Sequence, residues 1–185
     1  MNDIEIPLCV DLDGTVVYCD MSVRSFTTFL EKNPLGIFMA GLWHLRGRGF
    51  VKYLLAQRFD FDPATLPYIQ ETLDFLRKEK ARGRKIYLCT GSCHKVARII
   101  SNYLGLFDGI MATKVKKNFI GKVKADALIK RFGAEGFDYV GNSRQDLKVW
   151  KYSRNIYIAN ASWGTEEEAR RNFNHKTITV LCSKK

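Results

Sequence analysis

The sequence predicts an α/β protein: a doubly wound, mostly parallel sheet with a small helical cap inserted after the first strand. Six short apolar runs rich in β-branched and aromatic residues recur along the 185 residues, as in strands that are buried on both faces. Segments with helical spacing separate most of these runs, and strand and helix alternate from residue 66 onwards. This alternation favours a parallel sheet that binds its ligands beyond the carboxyl ends of the strands.

The elements follow from the same patterns. The predicted strands are Ile6–Val10, Lys85–Cys89, Gly109–Ala112, Phe137–Val140, Asn155–Ala159 and Thr177–Leu181. The interval from Met21 to Asp62 has no clear strand, and helix-like segments occupy it around Ser22–Glu31, Leu35–Leu45 and Phe50–Phe59. An insertion directly after the first strand lies over the carboxyl end of that strand. We therefore predict a cap at residues 21–62 above a core formed by residues 1–20 and 63–185.

The charge and cysteine content narrow the class of protein. The formal net charge is +11 and the pI is near 9.5, which suits polyanions, membrane surfaces or phosphorylated ligands without choosing among them. The five cysteines lack a CxxC spacing and predict reduced thiols. The N-terminus does not resemble a signal peptide, and the longest stretch without a charged residue, Asn33 to Leu45, is too short to span a bilayer. We expect a soluble, cytoplasmic protein.

The first strand ends in an unusual pair of acids. Asp11 and Asp13 follow the apolar run directly, and Gly14-Thr15 comes next. Two carboxylates at a strand end repel each other, so the pair is favourable only if a cation offsets their charge or if both are solvated at a surface turn. The buried strand before them favours the first alternative.

Asp11-Leu12-Asp13-Gly14-Thr15 resembles the DxDGT signature of the haloacid dehalogenase (HAD) superfamily of phosphatases and phosphotransferases. Three further motifs resemble this family in the same order: an apolar strand ending in Thr90-Gly91, a helix start that carries Lys124, and a strand followed by Gly141-Asn142 and Asp146. Four motifs in order at strand ends form a specific signal.

The resemblance implies a role for each matched residue. Asp11 would be the nucleophile that forms an aspartyl-phosphate, and Asp13 the general acid and base, with a pKa above that of Asp11. The phosphoryl oxygens would contact Thr90, Gly91 and Lys124. The implied cofactor is Mg²⁺, with Asp11, Asp13, Asn142 and Asp146 as its ligands. Asn142 stands where many family members have an acid, and it contributes no charge to metal binding.

A narrower resemblance concerns the HAD domain that is fused ahead of UbiA-type prenyltransferases. The similar stretches are Thr65–Tyr68, Tyr103–Asp108, Asn118–Gly121, Gly136–Ser143 and Asp146–Trp150, and in that group the Gly-Asn form of the fourth motif is usual. The sequence has no counterpart of the membrane half. The resemblance therefore implies a free-standing phosphatase that acts on a small phosphorylated metabolite or a lipid-linked sugar phosphate, in contact with the membrane or beside a separate membrane prenyltransferase.

The predicted cap leaves two interpretations open. Its apolar run Leu35–Trp43, followed by His44, Arg46, Arg48 and Lys52, suits a surface for a lipid tail with cations for headgroups. The alternative, which we favour, is a helix packed on its neighbours with the cations facing a small phosphate ester. Lys114, Lys116 and Lys117 either line the phosphate entrance or are ordinary solvated lysines.

These observations predict a Mg²⁺-dependent phosphomonoester hydrolase. A weakly catalytic or non-catalytic partner module of a membrane prenyltransferase is the alternative, with its basic surface docked on lipid or protein. Nucleic acid is not expected as a partner, because the sequence lacks an interleaved aromatic and basic platform.

Overall fold

A computed structural model describes residues 4–115 and 118–183. In it, six strands form one sheet in the order β3-β2-β1-β4-β5-β6, and every neighbouring pair is parallel. The strands are β1 Leu8–Val10, β2 Ile86–Cys93, β3 Gly109–Thr113, β4 Asp138–Gly141, β5 Ile156–Ala159 and β6 Ile178–Cys182. The α/β class and all six strands are confirmed. β2 continues four residues beyond its predicted end at Cys89, because Cys93 still pairs with Thr113 of β3 after a register shift.

Helices connect the strands. Three consecutive helices separate β1 from β2: α1 Met21–Lys32, α2 Gly36–His44 and α3 Arg48–Arg58. After a 3₁₀ turn at Pro63–Thr65, the remaining helices are α4 Gln70–Ala81, α5 His94–Leu104, α6 Gly121–Phe132, α7 Leu147–Trp150 and α8 Thr165–Asn172. The helical insertion thus lies where the sequence places it, whereas the division into a core and a cap stays a prediction.

The sheet is buried on both faces, which explains the apolar strands. Leu8 and Val10 of β1 point into one hydrophobic cluster, which includes Leu73 of α4 and Ile100 of α5. Cys9, between them, points into a second cluster on the opposite face with residues of α6, α7 and α8. Successive side chains of a strand alternate between faces, so the run Leu-Cys-Val serves both clusters.

The direction of chain winding reverses in the middle of the sheet. The chain passes from β1 through β2 to β3 on one side and then crosses to β4 on the other side of β1. The carboxyl ends of β1 and β4 therefore open a crevice at the switch point, where ligands bind in sheets of this kind. The Asp11 backbone N–H donates to the Val140 carbonyl at 3.0 Å, so β1 and β4 remain paired up to this edge.

Helix α2 differs from the interpretation that we favoured for it. Its small residues Gly36 and Ala40 are buried, but its large residues are not. Phe38 and Leu42 are 73% and 68% exposed. The helix does pack on its neighbours, through Gly36, Ala40 and Trp43, whose ring lies 5.5 Å from that of Phe29. It differs from the favoured interpretation in that its other large apolar side chains point outward.

Within the described residues, no helix combines the length and the apolar character that crossing a membrane requires. The five cysteines are free thiols, of which Cys9, Cys89 and Cys93 are buried.

Candidate active site

A polar cleft lies at the carboxyl ends of β1, β2 and β4. Its volume is about 340 Å³, near the lower end of the range for small-molecule sites. Acids, lysines and small polar residues line it: Asp11, Asp13, Gly14, Tyr18, Asp20, Ser22, Lys52, Gly91, Ile120, Gly121, Lys124, Asn142, Ser143, Gln145 and Asp146. All of the predicted site residues except Thr90 are among them, so the structure brings together residues from four separate sequence motifs.

Asp11 follows β1 and is held through one of its two carboxylate oxygens. Oδ1 accepts a hydrogen bond from the Leu12 N–H at 2.9 Å and lies 3.1 Å from Nζ of Lys124. Oδ2 accepts no hydrogen bond from the described part of the chain, so this oxygen is available to a ligand. Burial, with the carboxylates of Asp146 and Asp13, raises the pKa of Asp11 to about 7 against the opposing effect of Lys124.

Asp13 is fixed through both carboxylate oxygens. Oδ1 accepts from the Met21 N–H at 2.8 Å, at the start of α1, and Oδ2 accepts from the Ser92 hydroxyl at 2.7 Å. Burial raises the pKa of Asp13, against the effect of these two donors. A raised pKa suits the proton-transfer role that the sequence predicts. The expected order of the two pKa values stays a prediction, because the pKa of Asp11 is raised as well.

Thr90 lies beside Asp13 rather than in the lining of the cleft. It is fully buried, and its hydroxyl points to Oδ2 of Asp13 at 3.4 Å. The hydroxyl oxygen of Thr90 in turn accepts from the Ser92 N–H at 2.9 Å. Gly91, the next residue, lines the cleft. In this structure Thr90 therefore contacts the carboxylate of Asp13, and the end of β2 reaches the cleft through Gly91.

A buried chain of hydrogen bonds connects Lys124 to Asp146. Nζ of Lys124 donates to the Tyr139 hydroxyl at 2.7 Å, and that hydroxyl donates to Oδ1 of Asp146 at 3.0 Å. Burial and the nearby carboxylates raise the pKa of Tyr139, so the hydroxyl keeps its proton. Burial alone would lower the pKa of Lys124, but Asp11 and Asp146 raise it, so the amine remains charged. The cation is thereby fixed between the two carboxylates.

Asp146 is oriented by the loop that precedes it. Its Oδ2 accepts from the backbone N–H of Asn142 at 3.1 Å, and from the N–H and the hydroxyl of Ser143, both at 3.0 Å. The Asn142 side chain packs on Gly14, which has a φ of +74°. A Cβ on Gly14 would lie 2.0 Å from Nδ2 of Asn142. The DxDGT glycine therefore allows the first and fourth motifs to approach closely.

Substituting Gly14 is expected to disturb this contact. In Gly14→Ala, the new methyl group must displace Asn142, and the left-handed backbone adds strain of about 1–2 kcal/mol. We expect the free energy of unfolding to fall by about 1–3 kcal/mol, measured as a lower midpoint of urea unfolding. An unfolding curve that coincides with that of the parent protein would contradict this prediction.

Lys52 supplies a second cation at the cleft. It belongs to α3, and its Nζ donates to the Gly91 carbonyl at 2.7 Å. Burial lowers its pKa, against the raising effect of Asp13, Asp20 and Asp11. His44, Arg46 and Arg48, which the favoured interpretation also turned toward the substrate, are exposed and outside the cleft lining.

Of the three lysines considered for a phosphate entrance, Lys114 is not part of this cleft. Lys114 lines a separate cavity beside α5, whereas Lys116 and Lys117 lie outside the described residues.

Three residues of the site were not singled out from the sequence. Ser92 and Tyr139 hold the acid and the lysine, and Asp20 lines the cleft while its side chain caps α1 through the Ser22 and Val23 N–H groups. Asp20 carried a usable signal, since an aspartate two residues before a helical segment predicts an N-cap. Tyr139 and Ser92 carried no such signal. Tyr139 lies within a predicted apolar strand, and Ser92 lies in the part of β2 that continues beyond its predicted end.

The donor set is compatible with one divalent cation. Among residues 4–115 and 118–183, no three His, Cys, Asp or Glu side chains form a ready metal cluster. Mg²⁺ needs fewer, because it is usually bound through one or two carboxylates together with waters and a substrate phosphate. Asp11, Asp13 and Asp146 face two lysines in the cleft, so negative charge is in excess. Burial is the main reason that the pKa of Asp11 is raised, and the carboxylates of Asp146 and Asp13 add to it. A hard cation would offset the excess negative charge.

The parallel sheet and its cleft define an α/β protein with paired carboxylates at the switch point of the sheet. Comparison with protein families gives the particular family. A model described as haloacid dehalogenase-like hydrolase matches residues 8–151. The chain belongs to this family of hydrolases.

Individual proteins are also similar to this chain. The uncharacterized protein y4nM of Sinorhizobium fredii is 33% identical over 150 residues, which are 80% of this chain and 29% of that protein. The chain therefore matches less than a third of that relative. Among solved structures, a Bordetella pertussis protein of unknown function has a TM-score of 0.69 at 16% identity and covers 95% of this chain and 98% of its own. An apo phosphoserine phosphatase has a TM-score of 0.63 at 14% identity, over 96% and 94%. These likenesses establish the fold.

Proposed function

We propose that the protein is a Mg²⁺-dependent phosphomonoester hydrolase that acts through an aspartyl-phosphate on Asp11. The observation that carries the proposal is the arrangement of Asp11, Asp13 and Lys124 in one cleft, with Oδ2 of Asp11 available and Oδ1 held. Membership in the HAD-like hydrolases and the structural likeness to a phosphoserine phosphatase support this reaction class.

In the proposed reaction, Oδ2 of Asp11 attacks phosphorus, the bond from phosphorus to the ester oxygen breaks, and that oxygen takes the proton of Asp13. Water then attacks the phosphorus of the aspartyl-phosphate, Asp13 takes a proton from it, and Asp11 is released. Ser92 and the Met21 N–H keep Asp13 in place for both transfers. Asp13 begins the cycle protonated, which agrees with its raised pKa.

Lys124 would stabilise charge that develops on the phosphoryl oxygens, and Tyr139 and Asp146 keep its amine next to Asp11. Asp11, Asp146, the backbone carbonyl of Asp13 and Asn142 would hold Mg²⁺. The ion would supply positive charge for the substrate phosphate and for the crowded carboxylates. The Gly91 backbone and Lys52 border the same space.

The cleft volume favours a small substrate. A space of about 340 Å³ suits a phosphorylated metabolite better than a lipid-linked sugar phosphate, unless the lipid part remains outside. We also propose that the likeness to the domain fused to UbiA-type prenyltransferases reflects shared phosphatase chemistry. The alternative of a non-catalytic partner module requires that the cleft has no turnover.

An assay with two kinds of leaving group tests the proposal. The purified protein is expected to hydrolyse an aryl phosphate with Mg²⁺, and to lose this activity in EDTA and regain it when Mg²⁺ is returned. Asp13→Asn is expected to lower kcat/KM, which reports the steps up to release of the leaving group, by about 10²–10⁴-fold for an alkyl phosphate but much less for an aryl phosphate, since an aryl oxide leaves without prior protonation.

Two results would reject parts of this proposal. If no phosphate ester in a panel that includes ribose phosphates and phosphoserine is hydrolysed, the partner-module alternative is favoured. If Asp13→Asn lowers kcat/KM equally for both leaving groups, Asp13 is not the general acid.

A further inference from the structure

Helix α2 has the reverse of the usual surface arrangement. Gly36, Ala40 and Trp43, spaced by four and three residues, form the stripe that faces the rest of the protein. The approach is close: a Cβ on Gly36 would lie 2.5 Å from the Phe29 ring, and the rings of Phe29 and Trp43 are 5.5 Å apart. Small residues therefore dock the helix, and its outward face is left to the large apolar residues.

That outward face, here called the α2 apolar face, consists of six side chains. Their exposed fractions lie between 48% and 85%: Leu35, Ile37, Phe38, Met39, Leu42 and Leu45. No charged residue interrupts them between Asn33 and Leu45. Single exposed apolar residues are ordinary, but six on one short segment are characteristic of a surface that becomes covered.

Cations surround the α2 apolar face. From Arg24 to Arg58 the sequence has six lysines and arginines and one acid, Glu31. Lys32 ends α1, Arg46 is exposed between α2 and α3, and Arg48 is exposed at the start of α3. The Arg58 guanidinium lies 5.2 Å from the centre of the Trp43 ring, which places a further charge directly beside α2. We call Lys32, Arg46, Arg48 and Arg58 the basic rim.

We propose that the α2 apolar face and the basic rim form a docking surface for an anionic lipid bilayer. The apolar side chains would enter the boundary between headgroups and acyl chains, and the rim would contact lipid phosphates. A second copy of the chain fits less well, because two identical faces would bring two basic rims together. A protein partner would need both an apolar groove and an acidic border.

Docking would also bring the catalytic cleft to the membrane surface. Arg48 in the rim and Lys52 in the cleft are four residues apart on α3, which is about 6 Å along a helix. The proposal does not depend on hydrolysis, because binding to lipid is measured without a substrate.

Sedimentation with lipid vesicles tests the proposal. We expect the protein to bind vesicles of phosphatidylcholine with phosphatidylglycerol at least about tenfold more strongly than vesicles of phosphatidylcholine alone, and more weakly as salt increases. Phe38→Asp is expected to reduce binding to anionic vesicles by about tenfold or more. Trp163→Asp is the matched control, because Trp163 is 92% exposed in the segment between β5 and α8, and it should leave binding unchanged.

Arg48→Glu tests the rim. An acid is favourable in the first turn of α3, so this variant should fold, and it should weaken binding to anionic vesicles specifically. The circular dichroism spectrum and the urea-unfolding midpoint should stay the same in all three variants, which confirms that they are folded. The proposal is overturned if anionic vesicles are not bound at low salt, or if Trp163→Asp weakens binding as much as Phe38→Asp. It is also overturned if Phe38→Asp converts a dimer into a monomer, as measured by size-exclusion chromatography, and leaves vesicle binding unchanged.

Discussion

Asp11→Asn is expected to lower kcat for phosphate ester hydrolysis by about 10⁴-fold or more, in line with the loss of the nucleophile in other covalent hydrolases. The substitution keeps the size of the side chain, and the Leu12 N–H can still donate to its amide oxygen. An amide oxygen is neutral and a poor nucleophile, so no acyl phosphate forms. Steady-state rates, with mass spectrometry of the quenched enzyme for a phosphoryl group on the Asp11 peptide, measure both effects.

The same substitution should not unfold the protein. It removes one of three carboxylates that crowd the cleft, while Lys124 keeps its contacts with Tyr139 and Asp146. We expect a thermal midpoint equal to or above that of the parent protein in EDTA. Asp126→Asn, an exposed position on α6, is the matched control and should retain full activity. A folded Asp11→Asn protein with near-parental turnover would contradict the role of Asp11.

The sequence indicated which residues meet in one cleft, because the topology of the sheet places the ends of its strands at the same edge. Asp11 and Gly141 each come at the end of a buried apolar strand, and parallel strands end at the same edge. Once the strands are recognised, the convergence of the first and fourth motifs follows. The order of the four motifs added Lys124, which the α6 helix brings to the same place.

Contacts inside the apolar strands could not be predicted in the same way. Tyr139 has the β-branched or aromatic character of its neighbours, and aromatic residues in such strands usually belong to the core. Its hydroxyl contacts Lys124 because β4 turns it toward the face that α6 covers. The contact of Thr90 was also not predicted. The sequence placed Thr90 just after the end of β2, but β2 continues past it, and its hydroxyl points to Asp13.

Helix α2 shows a different limit. An all-apolar helix usually indicates burial on every side. The sequence does not show which neighbouring elements lie close enough to cover α2. Gly36, Ala40 and Trp43 did carry a signal, since small residues spaced by four allow close docking on one side. The apolar content alone could not separate the buried stripe from the exposed face.

Asp138→Asn is expected to lower the free energy of unfolding by about 3–5 kcal/mol at neutral pH, because it breaks a fully buried ion pair from one side. Asp138 lies at the start of β4 with no exposed surface. Its Oδ1 accepts from Arg154 Nε and the Asn155 N–H, both at 3.0 Å. Its Oδ2 accepts from Arg154 Nη2 at 2.8 Å and from Arg84 Nη2.

Arg84 cannot compensate for the loss. Its side chain is 1% exposed, and its other donors are already used on the Ile6 carbonyl at 2.7 Å and on Glu79 at 2.8 Å. An asparagine at position 138 would remove a counter-charge from the buried Arg84 guanidinium and would turn an amide N–H₂ toward a guanidinium. The loss is measured by urea unfolding, and Asp74→Asn is the control, because the Asp74–Arg77 pair is more than half exposed and should change stability by about 0.5 kcal/mol or less.

The pH dependence gives this prediction a second readout. Burial alone would raise the pKa of Asp138, but Arg154 and Arg84 lower it below its ordinary value. A carboxyl with a lowered pKa in the folded state stabilises the protein above its unfolded-state pKa, near 3.9, and this stabilisation is lost as the pH falls through the folded-state value. The difference in unfolding free energy between the parent protein and Asp138→Asn should therefore be constant from pH 7 to about 5 and shrink below about 4. A difference that grows in acid would mean that Asp138 is protonated in the native protein, and the ion-pair explanation would then be wrong.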